Sequence, residues 1–247
     1  MFSAATYSRA QMATLTGLSD DVLAHWIKEG LLKPEVSAGG TGRHKAFGSG
    51  EVNKAAILGQ LRSFNCSIST LRWFAALLDR AQELSARYQE IDPYKFYLIK
   101  YSAQLLREFL DGGPALLWVH GEGDAPVERR AKSIREILDV NERELSESEL
   151  AVYHQIVQNH VYNEYDLLAL DVASDLAPTS ISHPSVGQIW LTWPVDDGWK
   201  IYSDSDENLS GLRDWPHAAI LLNISRIIKS VWGLEIRPDC NEANSDD

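Results

Sequence analysis

Apolar positions recur at helical spacing through most of the first 110 residues and give way to a mixed pattern of short strand-like runs and helices after that. Ser8-Arg9-Ala10-Gln11 has the pattern of a capping box, in which the serine hydroxyl accepts from the third helical amide and the glutamine reaches back. The short helix it opens carries Met12 and Leu15 on its apolar stripe. Gly17, suited to a positive φ, breaks that helix, and Ser19 is placed to cap the next. A second helix over 20–29 starts with Asp20 and Asp21 at its positive dipole end and sets Val22, Leu23, Trp26 and Ile27 on one face. Gly30 fits the position just beyond it, and Pro34 bars its resumption. Two short helices joined by a four-residue turn containing Gly make a helix-turn-helix candidate.

The pattern continues in the same vein. Ala38 to Phe47 reads as a Gly-rich hairpin that would present Arg43, His44 and Lys45 as a wing. A third helix begins at a Ser49 cap with Val52, Ala55, Ala56, Gly59 and Leu61 largely inward, and a fourth begins near Ser67 or Ser69. Leu71, Phe74, Leu78, Ala81, Ser85 and Tyr88 then trace a heptad seam, weakened by Ser85. Asp92-Pro93 stops or kinks that helix, and another over 94–110 carries Phe96, Ile99, Leu105 and Phe109. Beyond the Asp111-Gly112-Gly113-Pro114 break the pattern is mixed. It predicts a buried strand at 115–119, helices over 128–139 and 146–160, and a hairpin of 188–193 with 198–202 about Asp196-Asp197-Gly198. A last helix over 218–231 has Ile220, Ile224, Ile227 and Val231 on one stripe, and residues 238–247 read as an acidic disordered tail.

Composition narrows the class. The 247 residues are 45% apolar and 23% charged, which suits a globular protein and argues against disorder or a fibrous repeat. No run approaches the ~20 apolar residues of a membrane span, so no membrane partner is expected. The first residues show no basic start followed by an apolar core, and the cytoplasm is the expected compartment. Two cysteines, Cys66 and Cys240, exclude a disulfide framework and a four-cysteine zinc site. The net charge of −12 is unevenly spread: residues 1–80 hold nine basic against six acidic residues, net +3, and the rest hold fourteen against twenty-nine, net −15. A basic front suits phosphates that the acidic remainder would repel.

Taken together, residues 7–80 resemble the MerR family of bacterial transcriptional regulators. The resemblance rests on a helix-turn-helix, the segment Trp26-Ile27-Lys28-Glu29-Gly30-Leu31-Leu32-Lys33-Pro34, a Gly-Arg-rich wing closed by an aromatic, and two further helices in that order. It implies a winged helix-turn-helix on double-stranded DNA, a homodimer built on the helix after the wing, and distortion of an inverted-repeat operator. Two positions depart from the family pattern: Ala24 stands where an Arg is usual, and Thr41-Gly42-Arg43-His44-Lys45 replaces a shorter Gly-Tyr-Arg wing. Both bear on which operator is read more than on whether DNA is bound.

The expected architecture is α+β: a winged helix-turn-helix over 1–69, connecting and dimerisation helices over 70–110, and an acidic α+β effector or partner-binding domain over 111–237. Arg9, Ser19, Asp20, His25, Lys28, Arg43, His44 and Lys45 are the candidate DNA contacts, with Leu71, Phe74, Leu78, Ala81 and Tyr88 as the dimer seam. Trp190, Trp193, Trp199 and Trp215 crowd together and suggest either an aromatic ligand pocket or a bulky core. RNA polymerase and a small-molecule effector stand open as further partners. No cofactor is implied, no metal site is expected, and no catalytic motif is present; His160 and Glu164 make only a lone ligand-like pair. The sequence leaves two other readings open: a DNA-binding accessory protein of a mobile element, such as an excisionase or partition factor, and an enzyme with a fused DNA-binding domain.

Overall fold

The computed structural model describes residues 6–35, 45–120, 126–182, 188–196, 198–203 and 216–234. In chain order the elements are β1 (Tyr7–Ser8), α1 (Arg9–Thr16), α2 (Asp20–Lys28), β2 (Ala46–Phe47), α3 (Ser49–Ser63), α4 (Ile68–Arg87), α5 (Phe96–Leu110), β3 (Leu116–His120) and β4 (Pro126–Arg130). They continue with α6 (Ile134–Leu138), α7 (Glu147–His160), α8 (Glu164–Asp175), α9 (Pro178–Ser182), β5 (Ile189–Val195), β6 (Gly198–Ser203), β7 (Ile220–Asn223) and α10 (Ile224–Val231). The class is α+β, mostly helical with small antiparallel sheets. The chain divides into two units, residues 1–76 with 178–247, and residues 77–177.

In the first unit, local sequence sets the helix ends. The Ser8 hydroxyl accepts from the Gln11 amide while Gln11 accepts from the Ser8 amide, so the capping box is complete. Gly17 at φ 70° and Gly30 at φ 75° take the left-handed turns that end α1 and follow α2. Met12, Leu23, Trp26, Leu31, Leu32, Phe47 and Val52 are buried in a core where α1 packs on both α2 and α3. Strand β1 pairs antiparallel with β2, Tyr7 opposite Phe47 and Ser8 opposite Ala46, and Ala46 also bridges to Glu35. The β6-β5-β7 sheet is antiparallel, and α10 packs on α3, α9 and β5.

The second unit is a helix cluster in which α5 packs on α6, α7 and α8 through Phe96, Leu98, Ile99, Ala103, Leu105 and Leu106. Strands β3 and β4 form its antiparallel hairpin.

Three expectations change. The helix expected over 128–139 begins as strand β4, because 126–130 pairs in register with β3; α6 starts only after the Ser133 hydroxyl accepts from the Glu136 amide. The helix expected over 218–231 is strand β7 followed by α10, and the switch falls at Asn223, whose side chain accepts from the Arg226 amide as the N-cap. A single 111–237 domain is replaced by an interleaved layout, since residues from 178 onward cluster with the amino-terminal 76 and the 70–110 segment is divided within α4. The physical reason is packing: α10 and β5–β6 lie against α3 and α4 residues of the first unit, with Trp199 5.6 Å from Phe74. The 238–247 tail lies outside the described residues.

Candidate nucleic-acid interface

Helix α2 presents a polar side because its apolar side is buried. With Leu23 and Trp26 fully inward, Asp20, Asp21, His25 and Lys28 are exposed on the other side. The Ser19 hydroxyl accepts from the Val22 amide at 3.4 Å, so Ser19 serves the helix as its cap. Arg9, the first residue of α1, reaches across the turn and its Nε lies 2.6 Å from Asp20 Oδ1, with both side chains about half exposed (45% and 56%).

The β1–β2 pair brings in a third element. Lys45, exposed, immediately precedes Ala46, which is held opposite Ser8. Ser8, Arg9, Asp20, Ala24, Lys28 and Lys45 therefore line one open groove of about 720 Å3, together with Ala10 and Ile27. It collects three cations against one carboxylate, Asp20, which Arg9 already engages, so the lining is net positive and favours phosphate oxygens. Ala24, where the resembled family carries Arg, contributes space here in place of charge.

Four of the eight candidate contacts thus share the groove: Arg9, Asp20, Lys28 and Lys45. Ser19 and His25 lie on the same helix without lining it, and Arg43 and His44 fall outside the described residues. Sequence reading missed the side chains that fix the segment after α2. Lys33 donates its amide to Glu51 Oε2 at 2.8 Å, and Glu51 Oε1 lies 2.6 Å from the fully buried Lys54 ammonium. This pins the Leu31-Leu32-Lys33 segment between α2 and β2 onto α3. Arg72 of α4 also pairs with Glu29 at the end of α2.

The proposed seam lies elsewhere in character. Leu71, Phe74, Leu78 and Ala81 are each at most 3% exposed within the chain itself, and Tyr88 is half-buried with its hydroxyl 2.8 Å from His160 Nε2. A seam between copies needs an open apolar face, and this stripe is already covered by its own chain; the outward side of α4 carries Arg72, Gln82, Glu83 and Arg87 instead.

The tryptophans are packed too. Trp190 and Trp193 are buried, Trp193 stacks on Tyr202 at 6.2 Å, Trp199 meets Phe74, and Trp215 lies outside the described residues. Trp190 and Trp193 thus belong to the core of the first unit.

In the second unit His160 is buried and turned to Asp166, Nδ1 to Oδ2 3.0 Å, while Glu164 pairs with Arg107. Asp166 in turn takes a bidentate Arg80 at 2.7 and 2.9 Å. Arg80 holds the Asp166 carboxyl below its ordinary value, and burial pushes the His160 imidazole down despite the carboxylate beside it. Lys95 and Asp171 each close further ion pairs, with Glu149 at 2.8 Å and Lys100 at 2.7 Å. Among the described residues no group of three His, Cys, Asp or Glu side chains could hold a metal ion, and no helix is long and apolar enough to cross a membrane.

Residues 7–75 match the family described as MerR HTH family regulatory protein, under a third of the chain. No curated protein and no solved structure matches it.

Proposed function

From the premise that residues 7–75 are a MerR-type helix-turn-helix segment, we propose that this chain is a sequence-specific DNA-binding regulator of transcription. The observation that carries the reading is the groove in which Arg9, Lys28 and Lys45, drawn from α1, α2 and the foot of the wing segment, converge beside the exposed face of α2. Helix α2 enters the major groove with its amino-terminal turn toward base edges, and the three cations take phosphates on either side. Arg43 and His44 extend this contact along the backbone. The regulator acts on an inverted repeat, one copy per half-site, and distortion of the intervening DNA transmits its effect to a promoter. Two copies so placed meet through residues other than the covered α4 stripe.

Genomic fragments retained by the purified protein, sequenced and then titrated at several salt concentrations, test this. A shared inverted repeat near promoters is the expected result, with a slope of log affinity on log salt near −3.6 per copy for about four phosphates, those of Arg9, Lys28, Arg43 and Lys45. Lys28→Ala with Lys45→Ala weakens binding to every sequence and makes the slope shallower by about two. Retention no better than random fragments, or a double variant with unaltered slope, would remove the groove from the function.

A further inference from the structure

The residue that ends α10 touches the short strand leading into α1. Trp232 closes α10, whose last turn is fastened by the Leu234 amide on the Lys229 carbonyl at 2.9 Å and by Gly233 at φ 63°. Its indole Nε1–H donates to Asn53 Oδ1 on α3 at 2.8 Å. Its ring lies 5.4 Å from the Tyr7 ring at a 56° tilt. Tyr7 belongs to β1, and the β1–β2 ladder has only two residue pairs. A two-stranded ladder is marginal at any length in water and takes its position from what packs on it.

Two of the three groove cations hang on that ladder. Arg9 follows Tyr7 by two residues through the Ser8 cap, and Lys45 precedes Phe47 by two. The register of β1 against β2 therefore contributes to the spacing between Arg9 and Lys45, beside the packing of α1 on α3 and the Arg9–Asp20 pair, and Trp232 braces β1 while the Asn53 bond fixes Trp232. We infer that Trp232 is a positioning residue for DNA binding, acting through Tyr7 on the placement of Arg9 and Lys45. The inference rests on the regulator reading above.

The test uses the full-length chain, the retained DNA fragment, and binding measured across a salt series with circular dichroism on each variant. Trp232→Ala, folded, is expected to bind roughly tenfold more weakly at moderate salt, with a slope shallower by about one to two because two cations lose their phosphates. Trp232→Phe keeps the ring against Tyr7 and restores most of the slope; Asn53→Ala falls between. Should Trp232→Ala unfold, Tyr7→Ala removes the same ring contact from the other side and is read identically. A folded Trp232→Ala or Tyr7→Ala that keeps the wild-type affinity, or loses affinity with the slope unaltered, overturns the positioning role. Wild-type protein that retains no DNA would instead overturn the regulator reading itself.

Discussion

Glu51 does not line the groove, but it ties the segment that follows α2 to α3. Its two carboxylate oxygens serve different masters, one accepting from the Lys33 amide and the other 2.6 Å from the buried Lys54 ammonium. Removing it takes the carboxylate from a cation in low dielectric and releases the backbone that links α2 to β2. Glu51→Ala is expected to lower stability by about 3 kcal/mol in urea unfolding, far beyond a surface ion pair such as Arg9–Asp20, whose loss is worth about 0.5 kcal/mol. A change under ~1 kcal/mol would show that the pair is incidental. The caps at Ser8 and Ser19 were legible in sequence because capping is local chemistry, read from three or four neighbours. Arg9 with Asp20 and Lys33 with Glu51 were not, since partners 11 and 18 residues apart are chosen by the tertiary turn.

At the scale of elements, a stripe of apolar residues says that a helix face is buried without saying by what. Leu71, Phe74, Leu78 and Ala81 obey the heptad spacing of a dimer seam, yet all four are buried within the chain. Leu78→Lys therefore places a charge in a filled site and is expected to cost about 3 kcal/mol or more, read as a lowered thermal midpoint. A folded variant that merely sediments as a smaller species would restore the seam. Residues 218–231 teach the same lesson in another form: Ile220, Ile224, Ile227 and Val231 fit a helical stripe, but the first of them pairs with Thr192 in a strand. The signal that could have divided them was Asn223, a polar cap residue inside an apolar run.

The helices of the second unit carry a pH dependence whose direction follows from their ion pairs. Burial would raise the Glu149 carboxyl, but Lys95 and the Ser146 cap outweigh it and hold the pKa at about 2, below the ordinary 4.5. A carboxylate depressed in the folded state contributes stability that is present above the ordinary value and lost as pH falls toward 2. His160 acts in the same sense at higher pH. Burial depresses it below 6.5, so the unfolded chain takes up its proton first and the folded state loses ground as pH drops below that value. Urea midpoints should decline in two stages on acidification. His160→Gln is expected to flatten the stage just below pH 6.5, and Glu149→Gln the one below pH 4.5. A wild-type midpoint constant from pH 7 to 5 would contradict the His160 assignment.

For the whole molecule, the decisive fact is that the chain leaves its first unit within α4 and returns to it at residue 178. Sequence reading found nearly every helix of the amino-terminal 80 residues and the β5–β6 hairpin, because those signals are periodic and local. It could not find that the two ends of the chain share a core, since nothing in a local window distinguishes a strand that packs on its neighbours from one that packs on residues far upstream. The apolar face of α10, with Ile224, Ile228 and Val231 buried, packs on α3, so the helix-turn-helix is braced by residues more than 140 positions later. A self-contained DNA-binding module would survive truncation; this one should not. A chain ending at Ala177 is expected to expose the α3 surface that α10 covers, bind a hydrophobic dye, and yield rapidly to protease within residues 45–76, with DNA retention lost alongside. Protection of that region at wild-type level, together with retained DNA binding, would show that the amino-terminal 76 residues carry their own stability and that the carboxyl-terminal helix is an addition to a module already complete.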